Sequence, residues 1–132
     1  EGYLILEELG YHKLARVCLV HILKGRSPDK AIAEGIFLDK DLAKLKSDDN
    51  YSSLTLEEKI VTLVDTIIQY DLVTIEERYE GVRDRYKDRD GKWPSWIDEN
   101  EKRALLICSE IEQMIGEPVY QILERHFKEG KL

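Results

Sequence analysis

Two four-residue patterns, Thr55-Leu56-Glu57-Glu58 and Thr74-Ile75-Glu76-Glu77, constrain this chain most. Each is a capping box. The threonine hydroxyl accepts from the backbone N–H three residues on, and the glutamate carboxylate reaches back to the threonine N–H. Such a box satisfies two of the orphan donors at a helix start, so it marks where a helix must begin. Ser27-Pro28-Asp29 is a third start signal, with a capping serine, proline at the first helical position and an early acid. Glycines at 10, 25, 35 and 116 supply the matching stops, because glycine enters the left-handed region without penalty.

The segments between these marks carry helical periodicity. Leu4, Ile5 and Leu9 form a short apolar stripe that stops at Gly10. Leu14, Val17, Cys18, His21 and Ile22 follow at i, i+3, i+4, i+7 and i+8, before Gly25. The first capping box opens the helix that carries Asp65, and the second opens a helix through about Tyr86. The stretch from Lys87 to Trp96, with Gly91 and Pro94, reads as a loop. A long helix follows with Leu105, Leu106, Cys108, Ile111, Met114 and Ile115 as its apolar positions, and a last helix runs from about Pro118 to Lys128. Residues 39–53 are polar and read as a loop. Strand signals are weak. The expectation is an all-α fold: a compact bundle of six or seven helices forming a single domain over 1–132.

The net charge of −7 argues against a general nucleic-acid binder and against an anionic membrane surface, since both demand basic faces. It leaves room for a small phosphorylated substrate held at a local cation. No apolar run approaches the ~20 residues of a membrane span, so the cytoplasm is the expected location. Cys18 and Cys108 lie in apolar helical runs without zinc spacing; free buried thiols are expected, with a disulfide as the alternative. The chain opens inside a helical pattern with Glu1 rather than Met, as a piece of a longer protein would.

Two residues carry the chemistry. At roughly 100° per residue, Asp65 stands at the edge of an apolar arc beside Val61 and Ile68. A carboxylate partly buried there calls for a cation or several donors; a solvated or ion-paired boundary aspartate is the plainer alternative. His21 shares its stripe with Leu14, Val17 and Cys18, and reads either as a hydrogen-bonded core histidine or as a metal ligand. A nitrogen and an oxygen donor leave Mn, Fe, Mg and Zn all open. His12 near a helix start is expected to be exposed, and His126 suits the C-terminal end of its helix dipole. Arg83, Arg85, Lys87, Arg89 and Lys92 interleave with Asp84, Asp88 and Asp90 and read as a self-paired, solvated segment. Trp93 and Trp96, which flank Pro94, are expected to anchor the last helices to the bundle, with a partner surface as the alternative.

Taken in order, these segments resemble the HD-domain metal-dependent phosphohydrolases. Leu14-Ala15-Arg16-Val17-Cys18 through His21 looks like the family's leucine-alanine-arginine helix leading to a histidine. Thr55-Leu56-Glu57-Glu58-Lys59-Ile60-Val61 through Asp65 looks like the helix that delivers its final metal-binding aspartate. Glu1-Gly2-Tyr3-Leu4-Ile5-Leu6 with Glu8-Leu9-Gly10, and Ile75-Glu76-Glu77-Arg78-Tyr79, are similar to the flanking helices. The resemblance covers about residues 1–86. It implies an all-α fold, one or two divalent metal ions, and hydrolysis of a small phosphorylated molecule such as a nucleotide. It makes Asp65 a metal ligand and His21 a second metal ligand or a phosphate contact. No His-Asp dipeptide occurs in the chain, so the resemblance assigns the family's remaining ligands to sequence upstream of Glu1. The alternative expectation is a helical module that acts by association with a partner or with itself, through apolar surface on residues 3–9.

Overall fold

The computed structural model describes residues 2–36 and 51–130. It is all-α, with seven helices among the described residues: α1 (Gly2–Glu8), α2 (His12–Leu23), α3 (Pro28–Ala33), α4 (Leu56–Ile67), α5 (Ile75–Tyr86), α6 (Trp96–Ile115) and α7 (Val119–Lys128). Among those residues there is no strand, only an isolated antiparallel bridge between Ile68 and Leu72. Of the loop expected over 39–53, residues 39–50 lie outside the described residues, and 51–53 form a turn. No described helix is long and apolar enough to cross a membrane. The chain divides into two compact units, residues 1–62 and 63–132, with α4 running continuously across the division.

The helix boundaries follow the local signals. Ser27 Oγ accepts from the Lys30 N–H at 3.2 Å, which caps α3. Both capping boxes are formed. Thr55 Oγ1 accepts from Glu58 N at 3.2 Å while Glu58 Oε2 accepts from Thr55 N at 3.0 Å. At α5 the corresponding bonds are 3.0 and 2.8 Å. Gly116 ends α6 at φ 80°, and α2 ends on two successive left-handed residues, Lys24 (φ 48°) and Gly25 (φ 79°). Lys24 tolerates that conformation because its N–H closes the last turn on the Val20 carbonyl.

In the first unit α1 packs on α2. The core consists of Leu19, Val20, Leu23, Ala31 and Tyr51, with Tyr3, Ile36 and Leu54 packed against it. The buried positions of α2 are Ala15, Leu19, Val20 and Leu23. The stripe expected from periodicity is therefore rotated: Leu14 and Ile22 are exposed, and Val17, Cys18 and His21 are half-buried. The reason is that α2 is apolar around most of its circumference. Several arcs satisfy the same spacing, and only packing chooses among them. Arg26, fully buried, holds the α2–α3 corner. Its Nη1 donates to the Leu23 carbonyl at 3.1 Å, and its Nε lies 2.7 Å from Glu34 Oε2, an ion pair without hydrogen-bond alignment.

In the second unit α6 packs against α5 and α7. Ile75, Tyr79 and Val82 are buried on α5; Ile97, Asn100, Ala104, Ile107, Cys108 and Ile111 are buried on α6. Of the expected α6 positions, Cys108 and Ile111 are buried, while Leu105, Leu106, Met114 and Ile115 are exposed. Leu105 and Leu106 lie off the packed arc, and the other two fall in the last turn. Arg83 ties the two helices together. It pairs with Asp98 at 2.9 Å and with Glu101, and its guanidinium lies 5.6 Å from the centre of the Trp93 ring. Trp93 Nε1 donates to Asp98 at 3.1 Å, and Trp96 meets Tyr86 edge-on at 5.4 Å. Both tryptophans thus anchor the α5–α6 junction, as expected. The basic segment is only partly self-paired. Lys87 bonds Asp84 at 2.9 Å, but Arg83 takes its partners from α6.

These geometries predict unequal costs of cap removal. Thr74→Ala removes one exposed cap and should cost about 1 kcal/mol. Glu58→Ala removes a cap and the partner of a part-buried arginine together, and should cost about 3 kcal/mol. Urea unfolding with an unchanged slope measures both.

Candidate functional site

The site residues are positioned from the start of α4. Glu58 is buried and uses both carboxylate oxygens. Oε1 accepts from Arg16 Nε at 2.6 Å; Oε2 accepts from Thr55 N and, at 3.3 Å, from Arg16 Nη2. Arg16 Nη2 also donates to the Ser53 carbonyl at 3.0 Å, and the guanidinium lies 5.5 Å from the centre of the Tyr51 ring. One arginine on α2 thereby holds the segment 51–58 and the first turn of α4. Sequence reasoning found the capping box but not this clamp. Arg16 and Glu58 stand 42 positions apart, and no local pattern links them.

Asp65 lies seven residues beyond Glu58, about 10 Å along the helix axis at 1.5 Å per residue. Its carboxylate is exposed, and among the described residues it has no hydrogen-bond or ion-pair partner. The arc it borders also faces water: Val61 and Val64 are exposed and Ile68 half-buried, whereas Glu58, Thr62, Leu63, Thr66 and Ile67 form the buried side. The burial that would have forced a counterion on Asp65 is therefore not present. What Asp65 offers instead is an open carboxylate with both oxygens available.

His21 is half-buried on α2. Its Nδ1 lies 3.2 Å from the Val17 carbonyl. A carbonyl only accepts, so this bond places the proton on Nδ1 and leaves the Nε2 lone pair of a neutral imidazole unused. Metal-ligating histidines are commonly oriented in this way, with the outer nitrogen bonded to a carbonyl. His21 belongs to the first unit and Asp65 to the second. Among the described residues no group of three or more His, Cys, Asp or Glu side chains is arranged to hold a metal ion. One imidazole nitrogen and one carboxylate suit the divalent ions in question by donor type but fall short by number.

Two other clusters of titratable groups are present. A cavity of about 370 Å³ in the first unit is lined by Tyr3, Glu7, His12, Lys13, Arg16 and Tyr51. His12, exposed as expected, pairs there with Glu7 at 2.9 Å. In the second unit Glu112 Oε1 accepts from the Val119 N–H at 2.9 Å, which caps α7, and from the Cys108 thiol at 3.6 Å. The Tyr120 hydroxyl accepts from the Ile75 N–H at 2.8 Å at the start of α5. Both cysteines are free, Cys18 half-buried and Cys108 buried. Burial, reinforced by Glu112, pushes the Cys108 thiol up to about 11. Burial likewise pushes Tyr120 up to about 12, against the opposing effect of the Ile75 N–H. Such a thiol is a packing element rather than a nucleophile.

Comparison of the chain with known protein families, curated proteins and solved structures finds no match.

The raised values give a pH dependence with a definite sign. The folded state holds the Cys108 and Tyr120 protons more tightly than the unfolded chain does. Their contribution is complete below the ordinary values of 9.0 and 10.0 and is lost as pH rises toward about 11 and 12. Urea midpoints should therefore fall steadily between pH 9 and pH 12. A phenolate absorbance titration of Tyr120, read as the difference from Tyr120→Phe, should show its midpoint near 12; a midpoint near 10 contradicts the assignment.

Proposed function

We propose that this chain is the C-terminal part of an HD-type metal-dependent phosphohydrolase and supplies part of its metal centre. The reading rests on the resemblance and on one observation about its two nominated residues. Among the described residues the Asp65 carboxylate on α4 is open and unpartnered, and His21 has its Nδ1 committed to the Val17 carbonyl with Nε2 unpartnered. A carboxylate and an oriented neutral imidazole are the donors that a Mn, Fe, Mg or Zn ion takes. The substrate is a small phosphorylated molecule such as a nucleotide. A divalent ion supplies charge neutralisation at the phosphoryl oxygens and lowers the pKa of water. Asp65 contributes the anionic ligand. The Val17 carbonyl fixes the tautomer and ring orientation of His21, and Arg16 with Glu58 holds the first turn of the helix that carries Asp65.

A second reading has its own observation. Leu4 and Ile5 of α1 and Leu9 just after it are 43, 56 and 64% exposed, which leaves apolar surface on residues 3–9. In that reading the chain is a helical module that self-associates, and a second copy covers α1.

Elemental analysis and a phosphatase screen over nucleotides and p-nitrophenyl phosphate, with added Mn or Mg, on the longest natural form of the protein decide between them. The first reading expects bound divalent metal and turnover. Asp65→Ala should reduce turnover at least about a hundredfold. Stability should stay within about 0.5 kcal/mol, because the side chain is exposed. Protein that stays metal-free and inactive sinks this reading. The second expects a dimer by light scattering that Ile5→Glu dissociates, with Asp65→Ala leaving the mass unchanged; a strict monomer counts against it.

A further inference from the structure

The corner between α4 and α5 presents an aromatic side chain that the fold does not use. Tyr70 is 103% exposed, and among the described residues its hydroxyl has no partner. The backbone beneath it is tightly closed. Gln69 N donates to the Asp71 carbonyl at 3.1 Å, Val73 N donates to the Ile67 carbonyl at 2.8 Å, and the Ile68–Leu72 bridge joins the two arms. Tyr70 therefore projects from a turn held at its base rather than from a slack loop. A preformed turn loses little conformational entropy on binding, and tyrosine is among the residues that dominate interface energetics.

The charge around the corner selects its occupant. Between Lys59 and Arg78 the chain carries Asp65, Asp71, Glu76 and Glu77 and no Lys, Arg or His; with Asp65 placed in the metal centre and Glu77 engaged in the cap of α5, Asp71 and Glu76 are the acids that face solvent here. Asp71 is exposed and its carboxylate unpartnered among the described residues, and Val64, 39% exposed, adds apolar surface one turn before Ile68. A second copy presenting the same corner would bring acid against acid, and nucleic acid or an anionic bilayer would be repelled by a chain at net −7. A cationic polypeptide fits. Arginine fits better than lysine, because its planar guanidinium can stack on the phenol face while its fork bonds a neighbouring carboxylate.

We propose that the α4–α5 corner is a docking point for a basic segment of a partner protein, anchored by an arginine that stacks on Tyr70 and pairs with Asp71. This is independent of the metal chemistry, since neither Tyr70 nor Asp71 is placed in the metal centre.

The test is selection from a random 16-residue peptide library on the wild-type chain, with Tyr70→Ala as the counter-selecting surface. Enriched sequences are then measured as labelled synthetic peptides by fluorescence anisotropy. The expected result is enrichment of basic peptides that carry arginine. Their binding should weaken at least about tenfold on Tyr70→Ala. It should also weaken on Asp71→Asn and on replacement of the peptide arginine by lysine. Tyr70→Phe, which keeps the ring, should bind within about twofold of wild type. Because Tyr70 is fully exposed, the alanine variant should unfold at the wild-type urea midpoint. No enrichment over the counter-selecting surface, or peptides that bind Tyr70→Ala as well as wild type, would overturn the proposal.

Discussion

The contact between Arg16 and Glu58 is the constraint on which the first unit depends. Glu58 is nearly out of water, and a carboxylate there is tolerable only with its oxygens occupied. Arg16 and the Thr55 N–H occupy both. The same guanidinium reaches the Ser53 carbonyl and faces Tyr51, itself part of the core. One ion pair thus joins three things: helix α2, residues 51–55, and the first turn of α4. The capping box and the clamp share a carboxylate, so the start of α4 and its seat on α2 are set by one group.

The second unit solves the same problem with different residues. Arg83 on α5 takes Asp98 and Glu101 from α6 and lies over Trp93 from the connecting loop. At the other end of these helices the polar groups serve as remote caps. Tyr120 receives the first N–H of α5, and Glu112 receives the first N–H of α7. Short helices are marginal by themselves, and side chains from elsewhere that satisfy their terminal donors make each start depend on its neighbour. The raised thiol and phenol of Cys108 and Tyr120 follow from the same burial.

For function, the contrast between Asp65 and Glu58 is instructive. The two acids lie on one helix, seven residues apart. Glu58, on the packed side, is committed to structure. Asp65 faces water, as do Val61 and Val64 beside it, and among the described residues its oxygens are uncommitted. An uncommitted carboxylate on a helix whose first turn is clamped is available for a cation, whereas the buried one is not. Tyr70 is the corresponding case at the helix end: a side chain held at a fixed point and left without an internal role.

Helix starts, helix stops and the all-α class were legible in the sequence because capping is local. Thr74 and Glu77, three residues apart, define the start of α5 whatever surrounds them, and the same holds for Ser27 before Pro28. The buried faces were not legible. On α2 the expected stripe was offset from the core by one position, and on α6 Leu105 and Leu106 turned outward, because helices apolar on several sides offer more than one acceptable arc. Asp65 and His21 stood out as residue types in a pattern. Tertiary structure decided that Asp65 is open rather than half-buried, that His21 gives its Nδ1 to Val17, and that Arg16 belongs to Glu58. The physical reason is range. A capping box or a glycine stop is complete within a few residues, whereas burial, ion pairing and the remote caps from Glu112 and Tyr120 depend on what the folded chain brings alongside.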